Sequence, residues 1–217
     1  MRGPIPINLA VEDELSEQML RVLLQKCGNA YEVGAVYRKG GNNYLKSKLS
    51  GFNRAARGMP YLILTDLDDK PCAADLIEEW FACKIKDYPT RRNHNLLFFI
   101  AVREVEAWLL ADRESFAAFL RIKLDEIPLE PDRIADPKKE LLELVRKTKN
   151  RRLREDIVPR DTSATRIGPD YNGRLTEFLL HKWRLDAAEA RSPSLLRAKK
   201  ILKSFLPKSE SKKRAQQ

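Results

Sequence analysis

The chain has 217 residues, 43% of them hydrophobic, and a formal net charge of +10 at neutral pH. This length allows one domain with a large appendage or two small domains, and it suffices for a well-buried core. There is no apolar run of about 18 residues and no signal-peptide pattern after Met1, which argues against a membrane-spanning or secreted chain and favours a cytoplasmic one.

The positive charge is concentrated in the second part of the chain. Residues 137–217 contain 22 Lys and Arg against 10 Asp and Glu, a net charge of +12; residues 1–136 contain 19 against 21, a net charge of −2. This asymmetry suggests a catalytic body followed by an extension that binds a polyanion. Ordinary solubilising charge on helices is the alternative explanation.

Apolar segments and helical patterns alternate through residue 124. The predicted strands are Ile5–Val11, Tyr31–Tyr37, Tyr61–Thr65 and Asn95–Val102. Helical spacing predicts helices from Leu15 to the closing Gly28, over Asn42–Arg57, over Pro71–Ile85, and from the charged segment after Val102 to about Leu124. This alternation predicts a doubly wound, mainly parallel α/β sheet flanked by helices.

Acidic residues follow three of the predicted strands. Glu12 follows the first, Asp66 and Asp68 the third, and Glu104 and Glu106 the fourth. Carboxyl ends of parallel strands share one edge, where open α/β sheets bind ligands. On extended backbone Asp66 and Asp68 point to the same side, so they either share a proton or bind a cation such as Mg²⁺. A solvated turn that caps the next helix is the alternative.

The sequence changes character after Pro128. Helices are predicted over Pro137–Lys149, Tyr171–Trp183 and Ser194–Phe205, with a loop over residues 156–172. We therefore predict an α/β domain over residues 1–127, a basic, mostly helical C-terminal extension packed on it over 128–207, and a disordered tail over 208–217.

Several stretches resemble a known family. Val11-Glu12 and Asp66-Leu67-Asp68 resemble the TOPRIM fold, the metal-binding module of topoisomerases, bacterial primases and OLD-type nucleases. More closely, the chain resembles a bacterial TOPRIM-like family of unknown function, often encoded beside AAA or ABC-type ATPases. The matching stretches are Glu104-Val105-Glu106-Ala107-Trp108-Leu109-Leu110-Ala111-Asp112, Asp136-Pro137-Lys138, residues 154–160, Gly168-Pro169-Asp170-Tyr171-Asn172 and Ser192-Pro193-Ser194-Leu195.

The resemblance implies a metal site and a role for each acid. Glu12 would act as general acid/base or metal ligand, Asp66 and Asp68 would hold Mg²⁺ or Mn²⁺, and Glu106 would complete the site. For Glu104, a pair with Arg103 or another basic neighbour is an equal alternative. The TOPRIM pattern has Gly after its first Glu, whereas this chain has Asp13, which could distort the turn, cap the helix or add a ligand.

Basic residues of the extension are candidate nucleic-acid contacts. Six lie in one stretch without an intervening acid, and two follow in the predicted loop: Arg146, Lys147, Lys149, Arg151, Arg152, Arg154, Arg160 and Arg166. Such cations contact phosphates without reading sequence, or they occupy a solvated helix end. Tyr171 is a candidate for base stacking, whereas Trp80, Trp108 and Trp183 are expected in the core.

These observations lead to two main hypotheses. The first is a Mg²⁺-dependent TOPRIM-like nuclease that acts on DNA or RNA, with a role in phage defence implied by the resemblance alone. The second is a non-catalytic partner or regulator of an associated ATPase, which Asp13 favours slightly. A topoisomerase-type module ranks last, because its accompanying domains and a suitable Tyr are missing.

Overall fold

Four parallel strands form the centre of the molecule. The structure is a computed structural model that describes residues 3–28, 30–81, 92–160 and 165–208. Its strands are β1 (Ile5–Val11), β2 (Tyr31–Tyr37), β3 (Tyr61–Asp66) and β4 (Leu96–Ala101). All pair in parallel, in the order β2-β1-β3-β4. The prediction of a parallel α/β sheet built from these four segments is confirmed.

Helices cover both faces of this sheet. Helix α1 (Glu14–Lys26) packs on one face, and α2 (Gly41–Ala55) and α3 (Ala73–Phe81) pack on the other. Side chains of β3 alternate between the two cores: Leu62 and Leu64 join α1, whereas Ile63 joins α2 and α3. Burial on both faces explains why β3 is a continuous apolar run. Residues 82–85 of the predicted third helix lie outside the described residues.

The remaining helices belong mainly to the extension. They are α4 (Val105–Leu110), α5 (Arg113–Leu120), α6 (Pro137–Lys147), α7 (Arg151–Ile157), α8 (Tyr171–His181), α9 (Leu185–Glu189) and α10 (Pro193–Ser204). Helix α7 begins inside the basic stretch, and α9 was not predicted. Residues 209–217 of the predicted tail lie outside the described residues.

One predicted helix is divided into two. The pattern predicted a single helix to about Leu124, but α4 ends at Leu110 and α5 begins at Arg113. The physical reason is Asp112, whose Oδ1 accepts a hydrogen bond from the Ser115 N–H and so caps α5. Its carboxylate is fully buried and also pairs with Arg184 at 2.8 Å, which fixes the break.

The extension shares a core with the sheet. One cluster of buried apolar side chains includes residues of β1, β3 and β4 as well as residues of α5, α6, α8 and α10. Trp183 Nε1 donates to the Trp108 carbonyl at 2.9 Å, and Trp108 Nε1 donates to Ser194 Oγ at 2.7 Å. Both indoles are buried, as is Trp80, so the core prediction for the three tryptophans is confirmed.

The strand order creates a crevice beside β1. From β1 the chain crosses first to β2 on one side and later to β3 on the other. The connection after β1 and the connection after β3 run to opposite sides of the sheet. Two adjacent strands of this kind define the topological switch point, where open α/β sheets bind ligands. The carboxyl ends at this point are Val11 of β1 and Asp66 of β3.

Candidate functional site

Glu12 is fixed against the end of the neighbouring strand. Its Oε1 accepts a hydrogen bond from the Thr65 hydroxyl at 2.5 Å and another from the Asp66 backbone N–H at 3.0 Å. The pairing of Val11 with Leu64 brings these ends together. Glu12 therefore lies at the switch point, with its second carboxylate oxygen outside both contacts.

Asp66 and Asp68 occupy different environments. Asp66 is 8% exposed, and its Oδ1 accepts a hydrogen bond from the Val105 N–H at 3.0 Å. Strand β3 ends at Asp66, and the backbone at Asp68 is left-handed, with φ of 50°. The extended geometry assumed for this pair was therefore wrong: Asp66 is buried, and Asp68 is exposed.

Glu104 and Glu106 converge on a lysine of the extension. Glu104 Oε2 accepts a hydrogen bond from the Lys138 backbone N–H at 2.8 Å, and Lys138 Nζ lies 3.6 Å from Glu104 Oε1. The same ammonium lies 3.4 Å from Glu106 Oε1, which also accepts the Tyr171 hydroxyl at 2.8 Å. The basic-neighbour alternative for Glu104 thus describes this structure, with Lys138 as the neighbour. We call Glu12, Asp66, Glu104 and Glu106 the acidic cluster.

Burial and repulsion from neighbouring charges raise the pKa of three acids, Glu12, Asp66 and Glu106. Burial is the main cause for Asp66, whose pKa lies well above its ordinary value and is raised further by the charges of Glu106 and Glu12. Burial also raises the pKa of Glu12 and of Glu106, against the hydrogen bonds that lower them. Three acids near one another therefore hold protons more tightly than free carboxyls do.

Lys138 is the cation that these acids share. Burial alone would lower its pKa, but the charges of Glu106, Glu104 and Asp66 outweigh burial and raise it, so Lys138 stays charged. Its single charge does not balance the cluster. Glu106 is 1% exposed, and its Oε2 has no hydrogen-bond partner among the described residues. An unpaired buried carboxylate oxygen is costly, and it marks a position where a ligand or a proton would be favourable.

Oxygen ligands of this kind suit a hard divalent cation such as Mg²⁺ or Mn²⁺. The orphaned Glu106 Oε2 and the raised pKa of Asp66 fit such an ion, because both reflect negative charge that lacks a partner. In the arrangement seen here, with Lys138 between the acids, no group of three Asp, Glu, His or Cys side chains within the described ranges is placed to hold a metal ion.

Asp13 caps the first helix. Its Oδ1 accepts a hydrogen bond from the Ser16 N–H at 2.8 Å, with extended backbone at φ of −145°. Of the three alternatives for this departure from the TOPRIM pattern, capping is the one that the structure contains. The Asp13 charge still contributes to the raised pKa of Asp66 and of Glu106.

Five of the eight predicted phosphate-binding residues have partners within the described part of the chain. Three make ion pairs with nearby acids: Arg146 with Glu143, Lys147 with Glu126 and Arg151 with Glu155. Arg154 donates to the Thr148 carbonyl, and Lys149 is exposed between α6 and α7. Arg152 lies 4.0 Å from Asp156, and its side chain is 84% exposed. Arg160 and Arg166 are exposed, and neither contacts the acidic cluster within the described residues.

Three site residues were missed or misassigned from the sequence. Lys138 and Thr65 were not proposed as site residues, and Tyr171 was proposed to stack on bases. The stacking prediction was wrong, because Tyr171 is 3% exposed and its hydroxyl is bonded to Glu106. Burial and the Glu106 charge raise the pKa of Tyr171, so it remains a hydrogen-bond donor.

Comparison with protein-family models, curated proteins and solved structures gave no match. The similarity to TOPRIM-like proteins therefore rests on the short stretches of sequence that carry it, such as Glu104–Asp112 and Gly168–Asn172. Within the described ranges, no helix is both long and apolar enough to cross a lipid bilayer.

The hydroxyl of Tyr171 can be removed with little change in shape. We expect Tyr171→Phe to lower the free energy of unfolding by about 1–2 kcal/mol, because Glu106 Oε1 loses a buried donor. Urea unfolding at neutral pH measures this loss. Tyr31→Phe is the matched control, since that hydroxyl donates to a backbone carbonyl, that of Leu202. A larger loss in the Tyr31 variant would contradict the role given to Tyr171.

Proposed function

We propose that this protein is a Mg²⁺- or Mn²⁺-dependent nuclease with a TOPRIM-like fold that cleaves phosphodiester bonds in DNA or RNA. The observation that carries the proposal is the buried Glu106 Oε2, which has no partner in the described part of the chain, beside Asp66 at the carboxyl edge of a parallel sheet. The strand order supports the same location, because Glu12 and Asp66 flank the switch point. A role in phage defence is the biological setting that the family resemblance suggests.

Glu12, Asp66, Asp68 and Glu106 would hold the metal. A divalent ion held there would supply two effects that favour phosphodiester hydrolysis, a polarised phosphoryl oxygen and a lower pKa of water. Asp68 is exposed, and its charge adds to the effect of burial in raising the pKa of Glu12. Lys138 would have to share or give up its contact with Glu106.

Other groups of the chain prepare the site for proton transfer. The Thr65 hydroxyl and the Asp66 N–H orient Glu12 through one oxygen. Burial raises the pKa of Glu12 above that of a free carboxyl, and a general acid/base works best when its pKa approaches the working pH. Glu12 is therefore the residue to which we assign proton transfer.

Cleavage assays test this proposal directly. Plasmid, single-stranded DNA and tRNA are incubated with the purified protein in Mg²⁺, in Mn²⁺ and in EDTA. We expect cleavage only with metal, and a loss of at least about 100-fold in Glu12→Gln, because a general acid/base contributes that much or more. Glu14→Gln is the matched control, since Glu14 is an exposed acid two residues away on α1.

A readout independent of activity completes the test. Isothermal titration of Mn²⁺ should show binding to the unmodified protein and weaker binding to Asp66→Asn. Intact substrates under every condition, together with absence of Mn²⁺ binding, would refute the nuclease proposal.

One observation favours the second candidate function, a non-catalytic partner of an AAA or ABC-type ATPase. Lys138 already supplies a positive charge to Glu104 and Glu106 without any metal. An internal counter-ion of this kind balances negative charge without a metal, so the fold can serve as a structural module. On this alternative the protein co-purifies with an ATPase from its native cells, and Glu12→Gln leaves the complex intact.

A further inference from the structure

A polar groove lies where the end of α5 meets helices α7 and α8 of the extension, away from the acidic cluster. It has a volume of about 380 Å³, in the range of ligand-binding clefts. The end of α5, helix α7 and helix α8 each contribute to it. The side chains that matter are Phe119, Arg121, Arg152, Arg174, Glu177 and Lys182.

The groove has an excess of positive charge. Its one acid, Glu177, is paired with Arg174 at 2.8 Å, so these two charges largely cancel. Arg152 is the next cation, with a side chain 84% exposed and only a distant contact to Asp156. Arg121 and Lys182 are exposed and have no acidic partner among the residues that the structure describes. Three cations from three separate elements thus line the same space, and among the described residues only Arg152 has an acid within 4.0 Å, Asp156.

An aromatic ring lies among these cations. Phe119 is half-buried, and its ring packs against Phe178 with centroids 5.1 Å apart and against Phe116 at 6.2 Å. These contacts hold the ring in place while it lines the groove. A fixed aromatic ring beside unpaired cations suits a ligand that combines phosphates with flat rings, because bases stack on the ring and phosphates contact the cations.

We propose that this groove binds a nucleotide segment of a nucleic-acid strand, with Arg121, Arg152 and Lys182 on the phosphates and Phe119 against a base. Only Arg152 belongs to the basic residues singled out from the sequence. Arg121 follows α5 in a left-handed conformation, with φ of 55°, and Lys182 follows the last residue of α8. The groove is therefore a product of the tertiary fold.

Helix α8 connects the groove to the acidic cluster. At one end the Tyr171 hydroxyl donates to Glu106, and at the other end Lys182 lines the groove. The 11-residue helix is about 16 Å long at 1.5 Å per residue, so the groove and the cluster lie about one helix length apart. In this part the inference rests on the proposed function: a strand held in the groove would reach the cluster a few nucleotides away.

Binding measured in EDTA separates the groove from cleavage. Fluorescence anisotropy follows a labelled single-stranded oligonucleotide of about twelve nucleotides as salt is varied. The triple variant R121N/R152Q/K182Q removes the three cations; Asn is used at position 121 because it tolerates a left-handed backbone. We expect roughly tenfold or weaker binding and a salt slope shallower by about 2, from three contacts at 0.7 each.

Matched variants keep this test specific. K48Q/K200Q/K208Q removes three exposed lysines outside the groove and should bind like the unmodified protein. F119L keeps an apolar side chain against Phe178 but removes the ring, and it should weaken binding about fivefold or more with the salt slope unchanged. Thermal unfolding of each variant verifies that it is folded.

Each outcome decides one of the two proposals. Equal binding by the groove variant and the K48Q/K200Q/K208Q control would overturn the groove. The groove would also be overturned if F119L binds the oligonucleotide normally and R121N/R152Q/K182Q loses affinity for heparin and for the oligonucleotide equally. The surface would then attract any polyanion. Groove-dependent binding without cleavage in Mg²⁺ would support the groove and reject the nuclease. Cleavage that is unaffected by R121N/R152Q/K182Q would support the nuclease and reject the groove.

Discussion

The Asp66→Asn variant is expected to unfold at a higher temperature than the unmodified protein at about pH 8, while it loses metal-dependent cleavage by at least about 100-fold. A buried functional carboxylate among like charges reduces stability, so its removal stabilises the fold as it destroys the site. Asn retains the Oδ1 that accepts the Val105 N–H, and its amide can donate to the neighbouring acids. Cleavage and thermal unfolding of the same preparations measure both effects.

The stability difference should depend on pH in a defined direction. Burial and the charges of Glu106 and Glu12 raise the pKa of Asp66 well above that of an unfolded Asp. Between the unfolded and the folded pKa, the folded protein binds more protons than the unfolded chain, so its free energy of unfolding falls as pH rises. Asp66→Asn lacks this contribution, and its advantage should grow from about pH 4 upward until the folded pKa is passed.

Asp68→Asn is the control for this result. Asp68 is exposed, so its replacement should leave the unfolding temperature nearly unchanged at every pH, although it removes a proposed metal ligand. Added Mg²⁺ should raise the unfolding temperature of the unmodified protein more than that of Asp66→Asn, because an ion that binds only the folded state stabilises it. A lower unfolding temperature for Asp66→Asn, or a difference independent of pH, would contradict the charge repulsion at this site.

The edge at which the acids lie was predictable from the sequence. Glu12 and Asp66 follow apolar segments separated by a helix, a strand and another helix, and parallel topology brings such strand ends to one edge. That rule needs no side-chain detail. The finer relation between Asp66 and Asp68 could not be predicted in this way, because it depends on where the strand stops and the backbone turns.

The partners of the acids were beyond the reach of sequence patterns. The sequence marked Lys138 as a residue in the first turn of a helix capped by Asp136 and begun by Pro137, and as part of a stretch that resembles the TOPRIM-like family. That its ammonium reaches Glu106 depends on how α6 packs on α4, and Pro137 and Glu106 are far apart along the chain. The sequence therefore indicated where Lys138 lies along its helix, but not which side chains its ammonium contacts.

Tyr171 illustrates a signal that was present but misinterpreted. Gly168 and Pro169 indicated a loop, which made an exposed, stacking tyrosine plausible. In the structure, a Cβ at Gly168 would collide with the backbone of Asp156 and Ile157, so this glycine permits the close approach of the segments before α8 and at the end of α7. The close approach buries Tyr171 at the start of α8, against Glu106.

The Lys138→Met variant is expected to lose about 1–3 kcal/mol of unfolding free energy at about pH 8 without metal. Removal of one member of a fully buried ion pair commonly costs about 3–5 kcal/mol, because the other charge is left uncompensated, and the 32% exposure of the Lys138 side chain reduces this loss. Here the charge is that of Glu106, 1% exposed, whose Oε1 lies 3.4 Å from Lys138 Nζ. Met keeps the apolar stem of the side chain, so the loss reports the charge. Urea unfolding measures it.

The loss should be smaller at low pH. Lys138 lowers the pKa of Glu106, so in its absence that pKa rises further above the ordinary value for Glu. Between the ordinary pKa of Glu and the raised pKa of Glu106 in the variant, the folded variant must either bind a proton or hold an unpaired charge. Its free energy of unfolding therefore falls as pH rises through this range. At about pH 5 Glu106 takes up a proton more readily, and the difference from the unmodified protein should shrink.

Divalent metal discriminates between the two candidate functions in the same variant. If the acidic cluster binds Mg²⁺, the ion can replace the lost ammonium, and Mg²⁺ should restore much of the stability of Lys138→Met while it affects the unmodified protein less. Lys139→Met is the matched control, an exposed neighbour that removes the same charge and should respond to neither pH nor Mg²⁺ in this way. If Lys138→Met is destabilised and Mg²⁺ does not restore its stability, the acids belong to a structural ion pair. That result would favour the non-catalytic alternative.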